Sequence, residues 1–442
     1  MSLLDQIKDA GVVGAGGAGF PTHAKLASKA EYVLLNGAEC EPLLRVDQQL
    51  MLMFPEEIIR GFEAAGRLVD AKKAIIGVKG KHKEVVAILR EWINKLDFGD
   101  FIEVKELPDV YPMGDEQVLV YELTGRVVPE AGIPIQVGCV VINSETALNI
   151  YRASKNIPVT ESYITIAGDI PKRLSLKVPV GTPLIQVLKL SGVEDFTDYA
   201  VIDGGPMMGG VLSNLDGYIL KKSKGFVILK KTHNLIQRKS QSMDKTRNIN
   251  RAACEQCRMC TDLCPRYLLG HDLQPHKIQR VINYNYEEMQ EQQMVYLCCQ
   301  CNVCELFACP VGIYPRAANQ YVKQKLLDKK IKFETRQRHI EPRISREYRM
   351  LPSKRLILRL GLHEFDKAAP MTEASIEPDI VYIAKSQHVG APAIPAVTVG
   401  EHVEVGQLIG NIPENSLGSA IHASISGTVI EIADRFVAIR RD

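Results

Sequence analysis

A chain of 442 residues has room for about three domains on a loose scale of ~150 residues each. Its 54 basic and 52 acidic residues leave a net charge of +2, which argues against a dedicated nucleic-acid binder, whose affinity rests on clustered basic charge meeting phosphates. With 46% hydrophobic and 24% charged residues, disordered and collagen-like chains are excluded, and no window supplies the ~18 uninterrupted apolar residues of a membrane span.

The opening Met1-Ser-Leu-Leu-Asp-Gln-Ile-Lys-Asp9 carries acidic residues and no apolar core of signal-peptide type, so a cytoplasmic location is expected. Leu3 to Ala10 has the spacing of an amphipathic helix. It leads into Gly14-Ala-Gly16-Gly17-Ala-Gly19-Phe20-Pro21, which contains the string G-x-G-x-x-G. A Rossmann fingerprint follows a strand, whereas this loop follows a helix. The loop is therefore expected to bind a phosphate or a flavin edge through backbone amides, the alternative being a flexible turn. As far as about position 155, apolar runs such as Tyr32-Val-Leu-Leu, Ala74-Ile-Ile-Gly-Val and Val137-Gly-Cys-Val-Val-Ile142 alternate with helical patterns such as Glu84 to Leu96, which predicts an α/β domain. From about 160 to 235, short strands at Tyr163 and Leu176 flank a helix at Leu184 to Leu190, the pattern of a small α+β module.

Nine of the 11 cysteines fall between 254 and 309, in a stretch with helical patterns at Lys277 to Gln292 and Arg316 to Leu327. Disulfides are rare in a reducing cytosol, so the cluster reads first as metal ligation. Cys254-x2-Cys257-x2-Cys260-x3-Cys264-Pro265 has the two-cluster ferredoxin spacing, and Cys298-x2-Cys301-x2-Cys304-x4-Cys309-Pro310 repeats it with one residue more in the last gap. Each triplet wraps three corners of a cubane and leaves the fourth to the other run. One [4Fe-4S] cluster is thus assigned to Cys254, Cys257, Cys260 and Cys309, the other to Cys298, Cys301, Cys304 and Cys264. A pair of zinc sites is the competing reading, since zinc tolerates such spacings. Cys40, Cys139 and Cys299 are left as bystanders. Residues 331 to 365 form a basic connector with Arg336, Arg338, Arg343, Arg346, Arg349, Lys354, Arg355 and Arg359, expected to lie as a solvated linker over the other domains rather than to dock an anionic partner. The last 65 residues return to short strands with glycine turns, as in Val399 to Gly406 and His422 to Thr428, and predict a small all-β module.

Several strings carry a resemblance. Gly16-Gly-Ala-Gly-Phe-Pro-Thr22 with Lys25, Asn36-Gly-Ala-Glu-Cys-Glu-Pro42, Tyr111-Pro-Met-Gly-Asp-Glu-Gln117 and Val141-Ile-Asn-Ser-Glu-Thr146 resemble the FMN and NADH site of the flavin-carrying 51-kDa subunit of complex I and of the RnfC protein of Rnf-type electron-transport complexes. Gly204-Gly-Pro-Met-Met-Gly209 looks like the Rnf-type signature after a soluble-ligand-binding β-grasp (SLBB) module, and the C-terminal module is similar to the RnfC barrel-sandwich piece. The order of modules, with Ala10 to His23, Asp47 to Met51, Cys254 to Pro265 and His422-Ala-Ser-Ile425, resembles the cobalamin-reductase family of propanediol-utilisation microcompartments over essentially the whole chain.

The resemblance implies a multidomain α/β and α+β chain: an FMN/NADH domain over 1–157, an SLBB β-grasp over 158–240, an α-helical two-cluster ferredoxin over 245–330, a basic linker over 331–372 and a barrel-sandwich hybrid over 373–442. It implies FMN phosphate and ribityl contacts at Gly16, Gly17, Gly19 and Lys25, with Asn36, Asn143 and Thr146 around the flavin. Glu39, Glu41, Tyr111 and Glu116 would sit near flavin and nicotinamide, the three glutamates as catalytic groups, and Phe20 would stack on the dinucleotide. Complex I has an arginine at Ala15, an aspartate at Ala38 and an asparagine at Ile142, so individual flavin contacts differ here. The hairpin Ala423 to Gly427 has no lysine for a biotinyl or lipoyl group and is not a swinging arm. The implied activity passes electrons from NADH through FMN and two [4Fe-4S] clusters to a corrinoid or to a protein acceptor such as an adenosyltransferase, inside a microcompartment with shell proteins as neighbours. Two alternatives are an Rnf-like or ferredoxin-linked NADH oxidoreductase and a non-catalytic electron-wire or scaffold protein. His23, His271 and His276 are conceivable cobalt or cluster-side groups, with solvated or helix-terminal roles as the plainer expectation.

Overall fold

Runs with apolar residues at both parities demand a strand covered on both faces. In the computed structural model, which describes residues 1–284, 292–334, 340–372 and 376–442, this is how the first unit is built. The middle of the expected helix Lys277 to Gln292, Arg336, Arg338 and the expected boundary at 373 lie outside the described residues. Strands Tyr32–Gly37 (β1), Lys73–Lys79 (β2), Ile102–Leu107 (β3) and, after the short Val110–Tyr111 (β4), Cys139–Asn143 (β5) form a parallel sheet in the order β3-β2-β1-β5. Val33, Leu35, Ile76 and Ile142 face the helices Leu3–Asp9 (α1), Val46–Met53 (α3), Pro55–Leu68 (α4), Lys83–Lys95 (α5) and Ser144–Ser154 (α7), while the short Thr22–Leu26 (α2) follows the glycine loop. Leu34, Ile75 and Val141 face Glu116–Thr124 (α6). Gly61 lets α4 and α7 touch: a Cβ there would fall 1.9 Å from the Ala147 carbonyl oxygen.

The second unit is a mixed sheet, Glu161–Gly168 (β6), Leu174–Pro179 (β7), Tyr199–Asp203 (β8), Gly210–Val211 (β9) and Gly225–Lys230 (β10), ordered β7-β6-β10-β8-β9 with β6 and β10 parallel. One face, with Ile164, Ile166 and Leu176, packs on the helix Leu184–Lys189. The opposite face presents Ala167, Ile202, Val227 and Leu229 to Leu43, Leu44 and Tyr111 of the first unit and to Cys301, Val303 and Leu306 of the cysteine-bearing segment. This shared core places the first unit and the cysteines on one support.

The cysteine-bearing segment is helical, with Met243–Ala253, Pro275–Tyr284 and Pro315–Asp328 as its longest described helices. The connector after it is more engaged than a solvated linker. Leu351–Pro352 (β11) pairs antiparallel with β4, Arg346 pairs with Glu122, and the Arg343 guanidinium lies 3.8 Å over the Tyr267 ring. Arg349, Lys354 and Arg355 do face solvent. The connector thus straps the first unit to the cysteine segment.

The C-terminal unit has two antiparallel sheets around a core of Val381, Ile383, Val403, Ile409, Ile421, Val429 and Val437. Its hairpin Ala423 to Gly427 is buried against the second unit, where Ser424 Oγ donates to the Val180 carbonyl at 2.6 Å. Among the described residues no helix is long and apolar enough to cross a membrane.

Candidate functional site: a glycine loop and two four-cysteine cavities

The glycine loop closes on itself through Gly14 N–H to the Phe20 carbonyl, 2.9 Å, and is pinned to α7 by Ala15 N–H to Thr146 Oγ1, 3.1 Å. A Cβ on Gly16 would sit 3.1 Å from the Asn143 side chain, while Gly17 faces open space. Gly19 adopts φ +76°, a left-handed conformation that favours glycine, and rests on the Gln387 carbonyl of the C-terminal unit. Gly16 to Ala18 are exposed, and a side chain at Gly16 would fill the space against Asn143; this cradle fits a flavin phosphate approached by backbone amides. Phe20, 39% exposed, is free to stack.

The polar residues around the loop are held by one another. Asn36 Nδ2 donates to the Gly114 carbonyl at 2.9 Å. Asn143 caps α7 by accepting from Glu145 N–H and donates to the Asp47 carboxylate at 3.1 Å. Lys224, from the second unit, bridges Asp47 at 3.1 Å and Glu145 at 2.6 Å. Lys25 is tied to Glu116 at 3.0 Å and to the Val141 carbonyl at 2.7 Å, which makes Glu116 the counter-ion of Lys25. Asp47, Glu145 and Lys224 carry no sequence pattern that marks them as a unit, because two ordinary carboxylates and a lysine are brought together from three separate segments.

Glu39 is half-buried with φ +35°, accepts from Asp47 N–H at 2.7 Å and from the Gln48 side chain, and its carboxyl is pushed up to about 7 by desolvation and by the Asp47 carboxylate. The folded protein therefore keeps a proton that the unfolded chain releases near its usual 4.5, so folding gains as pH falls from about 7 towards 4.5. Glu39→Gln is expected to remove that gain: the difference between urea midpoints at two pH values inside this window shrinks, and an unchanged difference contradicts the assignment.

Glu41 and Tyr111, expected near the flavin and nicotinamide, are engaged by other parts of the chain. Both Glu41 oxygens are taken, by Met207 N–H and Met208 N–H at 2.9 Å each, and a Cβ on Gly205 would fall 2.1 Å from Glu41 Oε2. Tyr111 is 2% exposed and its hydroxyl donates to the Cys301 carbonyl at 2.8 Å. These two residues join the first unit to the Gly204–Gly209 turn and to the second cysteine run.

The cysteines gather as the crossed spacing requires. Cys254, Cys257, Cys260 and Cys309 line one cavity, with His276 and Gln279. Cys264, Cys298, Cys301 and Cys304 line the other, with Cys299, Asn302, Arg316 and Asn319. In each run the residues on both sides of the middle cysteine, Gln256 and Arg258, Gln300 and Asn302, are left-handed, with φ between 54° and 67°. Gln256 and Gln300 donate to Cys254 Sγ and Cys298 Sγ at 3.2 and 3.3 Å, so the two turns repeat one geometry. The additional residue before Cys309 is absorbed by a π-helical turn, Val303–Ala308, where an i→i+5 repeat takes up one residue more than the α-helical i→i+4.

Four cysteines line the first space and five the second, where Cys299 adds to the four of the crossed set; each space thus offers at least the four thiols a cubane needs. Buried Gln279 and Asn319 keep side-chain polar atoms without a protein partner at the edges of these cavities, a further sign that the spaces are built for a ligand. His276 hydrogen-bonds Thr261 at 2.7 Å beside the first cavity, and His271 is buried against the Val128 carbonyl rather than solvated. Cys139 is buried in the sheet as a packed thiol, and Cys40 lies against Gly114.

Residues 7–152 match the family of the Nuo51 FMN-binding domain, residues 253–314 a 4Fe-4S dicluster domain, and residues 361–441 the RnfC barrel sandwich hybrid domain. Cobalamin reductase PduS of Citrobacter freundii is 42% identical over 443 residues, covering 100% of this chain and 96% of that protein. The cobalamin reductase PduS of Salmonella typhimurium is 40% identical over 99% of this chain and 96% of that protein. The C component of the proton-translocating ferredoxin:NAD(+) oxidoreductase complex of Clostridium ljungdahlii is 35% identical over 60% of this chain and 56% of that protein, so this chain spans about half of it. An NAD+-reducing [NiFe]-hydrogenase shares the fold at TM-score 0.50 and 18% identity, over 76% of this chain and 63% of that one.

Proposed function

Because the chain belongs to the cobalamin reductase PduS family, we propose that it passes electrons from NADH through FMN and two [4Fe-4S] clusters to a corrinoid. A flavin takes two electrons as hydride and releases them singly, the conversion that one-electron clusters require. The chain's part is to hold, orient and connect. Gly16, Gly17 and Gly19 give the nucleotide a close backbone approach, Asn36, Asn143 and Thr146 stand around it, Lys25 with Glu116 sits at its edge, and Phe20 offers a stacking face. Glu39 offers a carboxyl pushed up to about 7, and Glu41 and Tyr111 act as positioning residues at the junction.

The observation that carries the reading is the Tyr111 hydroxyl on the Cys301 carbonyl, 2.8 Å, which links the flavin unit directly to a cysteine run. In this reading residues 1–157 bind FMN and NADH, 158–240 form the SLBB β-grasp, 245–330 the two-cluster ferredoxin, 331–372 the strap and 373–442 the barrel-sandwich. The β6-to-β10 arrangement, a hairpin crossed by a helix and returned to a parallel central strand, supports the β-grasp assignment. A cytoplasmic site within a microcompartment, with shell proteins and an adenosyltransferase as neighbours, belongs to the same proposal. The likeness to the Clostridium ljungdahlii component favours a second reading, electron exchange with ferredoxin.

Anaerobic isolation tests the proposal. About one FMN and about eight irons with about eight sulfides per chain, as two cubanes require, and NADH bleaching of the flavin band are expected. Zinc without sulfide, or a flavin that ignores NADH, would overturn it.

A further inference from the structure

Four lysines surround the glycine loop, and three are already committed. Lys25 is neutralised by Glu116 at 3.0 Å. Lys221 is fully buried and donates to the carbonyls of Gly11 at 2.8 Å and Ala420 at 2.7 Å. Lys224 is held between Asp47 and Glu145. Lys222, carried on the turn before β10, is different. Its Cδ lies 3.5 Å from where a Cβ on Gly19 would stand, so the side chain runs along the end of the loop. Among the described residues no hydrogen bond or ion pair engages its ammonium, although Asp203 and His388 feel its charge.

The turn that carries it and the loop beside it are both tied to the C-terminal unit. The preceding Lys221 N–H donates to Gln387 Oε1 at 2.9 Å, and Val389 N–H donates to the Gly19 carbonyl at 3.1 Å, so the loop, the Lys221–Lys222 turn and the C-terminal unit form one clasp. Backbone amides at a glycine loop supply hydrogen bonds but only partial charge, and a phosphate desolvated there gains from a full cation within reach. The cation on the first unit's own side of the loop, Lys25, has its charge balanced by Glu116.

We propose that Lys222 supplies the cation for a phosphoester anion of the nucleotide held at the glycine loop, so that the second unit completes a binding site the flavin unit begins. This rests on the FMN and NADH reading above. Two sources share that chemistry, the FMN 5′-phosphate and the NADH pyrophosphate, and one experiment separates them.

The full-length chain, loaded with clusters and freed of flavin, is titrated with FMN and with riboflavin by flavin fluorescence. The flavin-loaded protein is then titrated with NADH and with reduced nicotinamide riboside. Lys222→Met is expected to bind one phosphate-bearing ligand roughly ten- to a hundredfold more weakly, the loss typical of one charge-assisted hydrogen bond, with the phosphate-free analogue unchanged. Lys222→Arg should recover most of that loss. A change for FMN against riboflavin assigns the 5′-phosphate; a change for NADH against the riboside assigns the pyrophosphate. Equal binding of all four ligands by wild type and Lys222→Met overturns the Lys222 assignment alone. Wild type that binds neither FMN nor NADH overturns the reading beneath it.

Discussion

Cys309→Ala is expected to cost the chain the cluster of the other run. Cys309 lines the cavity of Cys254, Cys257 and Cys260, while Cys264 lines that of Cys298, Cys301 and Cys304. Iron per chain should fall from about eight to about four, since each cubane holds four irons. Double variants identify which four are lost. Cys309→Ala with Cys257→Ala should lose no more iron than either alone, because both changes strike one cluster. Cys309→Ala with Cys301→Ala should lose nearly all of it. Uncrossed runs would give the opposite pattern. Cys299→Ala, which removes a thiol lining the second cavity but none of the eight proposed ligands, should keep both clusters.

The second large effect is expected at Arg266. Its guanidinium pairs with Asp115 at 2.9 Å, with side chains 9% and 12% exposed. Asp115 also caps α6, accepting from Gln117 N–H and Val118 N–H at 3.2 and 3.1 Å. Arg266 follows the ligand turn Cys264-Pro265, so the pair fixes the flavin unit's α6 to the second cysteine cavity. Removing one partner of a buried pair leaves the other charge unpaired, at a cost of about 3–5 kcal/mol. Arg266→Met should lower unfolding stability by that amount in urea, and adding Asp115→Asn should restore much of it by removing the stranded charge. Flavin reduction by NADH should persist in Arg266→Met, with transfer onward to the clusters slowed. A loss below ~1 kcal/mol, the range of exposed pairs, would show that the pair does not hold the two units together.

What could be read in the sequence was what is local. The cysteine spacing states its own geometry, because three ligands two residues apart must wrap one turn, and even the crossing follows from the missing fourth corner. The single extra residue before Cys309 was visible as a count, but its resolution as a π-helical turn was not. Gly16 and Gly19 were legible as a loop that needs glycine. The roles of Glu41 and Tyr111 were not, since their partners lie 166 and 190 residues away, at Met207 and Cys301. The connector looked like solvated charge because Arg343 and Arg346 resemble Arg349 and Arg355 in sequence, and only the tertiary partners Tyr267 and Glu122 distinguish them. Lys222 is in the same position: beside Lys221 and Lys224 it reads as one of a basic run, and what sets it apart is that its neighbours' ammonium groups are already occupied.

Electrons entering at the glycine loop are expected to leave to a corrinoid through the cysteines. The most direct measurement follows flavin, cluster and corrinoid absorbance together after the anaerobic holoprotein meets NADH and hydroxocobalamin. Flavin bleaching, then cluster bleaching, then a cob(II)alamin spectrum is the predicted order; in Cys309→Ala the remaining cluster still bleaches, to about half the amplitude, and the cob(II)alamin step is lost. A corrinoid that stays oxidised while the reduced protein passes its electrons to ferredoxin would contradict it.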